Sequence, residues 1–136
     1  MAIRAYKVGF ISTDTPGDLL FLEFKATCTS GRYQSLFKDD ANFTVTAGMN
    51  LYIARLLISP QAANGGILEL GYGDTIVNDS VAAPTNAKPM IAAIQGPTAF
   101  ELLTVDLGGH PVPANKAVYF RSGGADTKVT LCGIMF

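Results

Sequence analysis

Val45-Thr46-Ala47-Gly48-Met49-Asn50-Leu51-Tyr52-Ile53 and, further along, Val112-Pro113-Ala114-Asn115-Lys116-Ala117-Val118-Tyr119-Phe120 share one pattern, V-x-A-[GN]-x-x-[LV]-Y-[IF]. Gly and Asn are the residues that most readily take a positive φ. Each stretch therefore reads as a chain reversal, at Gly48 or Asn115, that delivers the chain into a strand carrying a tyrosine. Two equivalent turn–strand units fit a sandwich made of two related halves, as in a jelly roll. Two unrelated hairpins would give the same echo.

The rest of the chain keeps that rhythm. Leu20, Leu22, Phe24 and Ala26 alternate with Glu23, Lys25 and Thr27, the period of a half-buried strand. Further strands are expected at Arg4–Ser12, Arg32–Phe37, Phe43–Val45, Asn50–Ser59, Ile67–Gly73, Pro89–Gln95, Phe100–Leu107, Ala117–Ser122 and Lys128–Phe136, with Gly and Pro between them. Asn50–Ser59 is apolar on both faces apart from Arg55, which suggests a strand covered on both sides. The fold class read from this is all-β, an antiparallel β-sandwich, jelly-roll-like, with about eight to ten strands. Residues 1–136 form one domain, near the common domain size. Two parts depart from a plain sandwich: a possible extended N-terminal strand (1–12) and a long loop (74–89). Internal connections have a median of about 4–6 residues, so that loop is long.

Charged residues make up 15% of the chain against roughly 25% in an average soluble domain. Ten Lys/Arg and eleven Asp/Glu cannot densely cover the surface of so small a domain, so part of it should be held against other protein. The formal net charge of −1 lacks the positive footprint of a nucleic-acid binder. No run approaches the roughly 18 apolar residues of a membrane span. Arg4 and Lys7 interrupt any apolar leader, so no secretion signal is expected. Cys28 and Cys132 then read as buried free thiols, with geometry deciding any pairing.

Residue sets for catalysis, a cofactor or a metal do not emerge. His110, between Gly109 and Pro111, is the single histidine and reads as a solvated loop residue. Neither a nucleophile elbow nor a phosphate-binding glycine loop is present. Glu23, Glu69, Glu101, Asp74 and Asp106 could supply a glycosidase pair, but their spacing brings no two together. Asp39-Asp40 with Asn42 lacks the alternation of a calcium loop and reads as a turn.

Gly71-Tyr72-Gly73-Asp74 with its following loop, Val112 to Gly124 with its P-A-x-K turn and Arg-Ser-Gly strand end, and the terminal Val129-Thr130-Leu131-Cys132-Gly133-Ile134-Met135-Phe136 carry a resemblance. The pattern resembles small jelly-roll or β-sandwich decoration (cement) proteins of tailed-bacteriophage capsids. It is less close to receptor-binding heads of tail proteins. The resemblance implies a homo-oligomer, usually a trimer, made in the host cytoplasm and bound to the major capsid protein on the outer face of the virion. The candidate partner contacts are Ile3, Tyr6, Val8 and Phe10 on the apolar first strand, and Val77, Val81 and Pro84 on the long loop. No cofactor, direct nucleic-acid contact or membrane contact is expected, and no enzyme activity. The other readings weighed are a receptor- or carbohydrate-binding head, an enzyme, and a secreted trimeric signalling module.

Overall fold

The computed structural model describes residues 3–7, 20–36, 45, 47–62, 66–95 and 98–136. Its elements are all strands: β1 (Ile3–Lys7), β2 (Leu20–Cys28), β3 (Tyr33–Ser35), β4 (Leu51–Pro60), β5 (Ile67–Gly73), β6 (Lys88–Gln95), β7 (Leu103–Val112), β8 (Ala117–Arg121) and β9 (Thr127–Met135). They form a five-stranded sheet in the order β1-β2-β9-β4-β7 and a four-stranded sheet in the order β3-β8-β5-β6, with antiparallel neighbours throughout. From β2 onward the pairing is nested. β5 pairs β6, β4 pairs β7, β3 pairs β8 and β2 pairs β9. The eight strands are thus one long hairpin folded over into two layers, with β1 added at the β2 edge.

Alternation builds the core. On β4, Leu51, Ile53, Leu56 and Ile58 point inward; on β9, Val129, Leu131 and Met135; on β5, Leu68 and Leu70; on β8, Val118 and Phe120. All are buried in one cluster that spans both sheets. Full burial of such side chains contributes about 1.5–3 kcal/mol each. Gly133 occupies an inward position on β9 because a Cβ there would lie 2.9 Å from the Tyr52 carbonyl oxygen.

The sequence echo is a structural one. Gly48 has φ +82° and Asn115 φ +63°, so both reversals use the left-handed region. The two turns also meet: Val45 N donates to Lys116 O at 2.9 Å, and Asn115 N donates to Val45 O at 2.8 Å. Leu51 and Ile53 on one strand and Val118 and Phe120 on the other enter the core. The tyrosines between them face outward, one on each sheet. Tyr52 stacks on Phe136 at 5.4 Å between centroids, and Tyr119 tilts against Tyr33 at 5.5 Å.

Several expectations shift. β7 runs through Gly108-Gly109-His110-Pro111 to Val112, where a turn was expected, and it starts only at Leu103. Both glycines have positive φ and lie in a bulge opposite Ala54, which absorbs the extra residues without ending the ladder. His110 is therefore a strand residue, half-buried opposite Ile53, with Nδ1 3.0 Å from the Pro111 carbonyl oxygen. β4 lies between β9 and β7, yet its outer face is only half-covered, with Tyr52, Ala54, Leu57 and Ser59 partly exposed and Arg55 exposed. No further layer covers that face among the described residues, so its apolar side chains find one another within the sheet. Cys28 is buried, and Cys132 is a half-buried free thiol. Phe43, Thr44, Asp39, Asp40 and Asn42 lie outside the described residues.

Two substitutions test this account. Gln34, cross-strand from Phe120, is fully buried, and among the described residues neither amide atom has a hydrogen-bond partner. A buried amide without partners costs about 1–3 kcal/mol, so Gln34→Met should raise the urea midpoint by a comparable free energy. At the left-handed Asn115, Asn115→Ala should lower stability by about 1 kcal/mol while Asn115→Gly stays near wild type, both read from the same unfolding curves.

Candidate functional site

The long loop between β5 and β6 does not leave the domain. Its outward run lies along β3: Ser35 N donates to Asn78 Oδ1 at 2.7 Å, and Tyr33 N to Ser80 O at 2.8 Å. Arg32 Nη1 donates to Asp79 O at 2.9 Å and Thr29 Oγ1 to Asp79 Oδ1 at 3.1 Å. The loop thus supplies hydrogen-bond partners along the β3 edge of the four-stranded sheet, which would otherwise template pairing with another chain. Its return run packs on the end of β5, where a Cβ at Gly73 would lie 3.0 Å from both Pro84 Cβ and Thr85 O. Asp79 and Asn86 turn the chain with positive φ, at 58° and 52°.

A second set of bonds closes the loop at its base. Asp74 N donates to Thr85 O at 3.0 Å and Ala87 N to Pro84 O at 3.2 Å. The Asp74 carboxylate accepts from Asn86 Nδ2 at 2.5 Å and forms an ion pair with Lys116 on the turn between β7 and β8. The hydrogen bond from Lys116, then that from Asn86, holds the Asp74 carboxyl below its ordinary value of 3.8. On β8, Tyr119 is fully buried and its hydroxyl donates to Glu69 on β5. Burial, followed by that bond, pushes the Tyr119 phenol up.

With its backbone tied down, the loop turns apolar groups outward. Val77 is 67% and Val81 71% exposed, Ala82 and Ala83 are exposed, and Pro84 is half-exposed. Val77, Ala82, Ala83 and Pro84 share the lining of a hollow of about 140 Å³. Three of the candidate contacts read from the sequence, Val77, Val81 and Pro84, therefore sit on one loop, the first and last of them lining one hollow. Ile3 and Tyr6 lie on β1, which pairs with β2 through Ile3 opposite Phe24 and Tyr6 opposite Phe21. Val8 and Phe10 lie outside the described residues. Sequence reading missed further exposed apolar side chains, Ile67, Phe100 and Leu102, of which Phe100 is 71% exposed at φ +60°.

Between the base of the loop and the β7–β8 turn lies a depression of about 450 Å³, lined by Tyr72, Asn86, Ala87, Lys88, Pro113 and Lys116. The remaining carboxylates are spread apart. Glu23 pairs with Lys25 at 2.6 Å, and Asp106 Oδ1 accepts from Gly108 N at 3.0 Å. Glu23, Cys132, Arg55 and Asp106 follow one another in register across β2, β9, β4 and β7. Burial, then the nearby Glu23, raises the Cys132 thiol against the opposing effect of Arg55 and Lys25. Among the described residues no group of three or more His, Cys, Asp or Glu side chains could hold a metal ion, and no helix is long and apolar enough to cross a membrane.

No family model and no curated protein matches this chain. Among solved structures the chain is similar to one from infectious bursal disease virus, Gt strain, at 12% identity and a TM-score of 0.37. That match covers 98% of this chain and 32% of the viral one, so the chain spans about a third of its neighbour's length.

The Asp74 latch has a pH signature. A carboxyl whose native pKa is lowered adds stability above its unfolded value and loses it as pH falls through the native one. Opening of the loop, read from the exchange of the Ala87 amide after correction for intrinsic rates, should be constant from neutrality to about pH 4 and increase only below it. Asp74→Asn should show the increased opening at every pH.

Proposed function

We propose that this chain is a structural virion protein, a capsid decoration (cement) subunit that binds the outer surface of a phage head as an oligomer, with a trimer as the expected form. The nested strand order is read as a jelly-roll wind, eight strands in two layers. One observation carries the reading: an apolar loop surface whose backbone is already satisfied by its own sheet. Docking such a loop releases water from Val77, Val81 and Pro84 without ordering a free segment, so little of the gain is lost to entropy. The 15% charge content and the phage-like C-terminal half support the same reading. Binding, rather than turnover of a substrate, is the activity proposed. Repeated at many identical sites, such contacts would hold neighbouring capsid subunits together against the pressure of packaged DNA.

A second reading, a receptor- or carbohydrate-binding head of a phage tail protein, is favoured by the polar depression beside the loop. The first reading is tested by light scattering of the purified chain and by cosedimentation with empty heads of the particle that encodes it. An oligomer that binds saturably is expected. Val77→Ser with Val81→Ser should weaken binding by about 2 kcal/mol, roughly thirtyfold. A monomer at all concentrations that stays in the supernatant would overturn the proposal.

A further inference from the structure

The depression formed by Tyr72, Asn86, Ala87, Lys88, Pro113 and Lys116 brings apolar and polar side chains together. Tyr72 packs against the core and is opposite Lys88 across the β5–β6 ladder. Pro113 and Ala87 add further apolar surface. Lys116 is already matched by Asp74, which also takes a hydrogen bond from Asn86. Lys88 is different: it is exposed, and among the described residues its ammonium has no ion pair. The site therefore offers one unneutralised cation, a neutral amide and an ion pair that can exchange hydrogen bonds with hydroxyls, around an aromatic ring. A volume of about 450 Å³ falls at the small end of the range for ligand sites.

We infer that this depression binds an acidic saccharide unit of the uronic-acid class, which rests on the second reading above, a saccharide-binding head. The ligand's carboxylate pairs with Lys88, and its hydroxyls bond to Asn86 and the Asp74–Lys116 pair. Its C–H face lies on Tyr72 and Pro113. Each half of that recognition is weak alone in an open site, so binding needs both charge and ring. Inorganic phosphate has the charge without the C–H face, and glucose has the face without the charge.

The test is a titration of the ¹⁵N-labelled full chain with glucuronate, glucose and inorganic phosphate, followed by amide shifts. Glucuronate should move the amides of Tyr72, Asn86, Ala87, Lys88 and Lys116 together and saturate in the millimolar range. Glucose and phosphate should each bind about tenfold more weakly. Lys88→Gln should weaken glucuronate about fivefold and leave glucose unchanged, as expected for an exposed ion pair. Equal binding of glucose would overturn the acidic class while leaving a saccharide-binding head intact. Equal binding of phosphate would reduce the site to an anion patch and overturn the inference. No shift with any of the three would overturn both the inference and the second reading.

Discussion

The structure depends on β9 finding its place between β2 and β4. The last strand of the chain is the centre of the five-stranded sheet, in register with β2 from Thr127 opposite Cys28 to Met135 opposite Leu20. On its other edge it pairs with β4 from Thr127 opposite Pro60 to Met135 opposite Leu51. Its inward residues Val129, Leu131 and Met135 close the core, and Gly133 lets it approach β4 closely. Without β9, β2 and β4 would both be edges, and the first sheet would split in two. Such pairing joins distant parts of the chain, so loop-closure entropy is paid before the contacts reward it.

The four-stranded sheet has the opposite problem, a short outer strand. β3 is only Tyr33–Ser35, and the β5–β6 loop supplies the hydrogen bonds its free edge lacks. This explains how a loop rich in Ala, Val and Pro can present apolar side chains without being loose. The same anchoring that protects the edge prepares the exposed surface. The Asp74–Lys116 ion pair then ties this loop to the β7–β8 turn, so the apolar surface and the polar depression share one support.

The two outer faces differ. On the four-stranded sheet Ser35 and Tyr119 are buried, whereas the five-stranded sheet shows Glu23, Arg55 and Asp106 in register across it. Opposite charges on adjacent strands suit a face left in water. Large exposed apolar side chains include Val77, Val81, Phe100 and Leu102 on loops and Ile67 at the start of β5.

Local patterns decided a good deal without coordinates. Period-two alternation is a property of neighbouring residues, so strands such as Ile67–Gly73 and Ala117–Arg121 were legible within a residue or so. The left-handed turns at Gly48 and Asn115 were legible too, because few residue types accept that conformation. Gly108-Gly109-His110-Pro111 misled for the same reason: its composition suits a turn, but β4 holds it in the ladder as a bulge. The exposed residues Val77, Val81 and Pro84 could be picked out by type as candidate contacts, yet nothing in the order of residues shows that the loop folds back on β3. The depression was not legible at all, since Tyr72, Lys88 and Lys116 come from separate segments and meet only once the strands are nested. The sequence by itself determined which segments extend and where they reverse, because backbone preference is local. Only the tertiary structure decided which edges pair, which faces are covered and which side chains converge, because those outcomes depend on contacts between residues far apart in the chain.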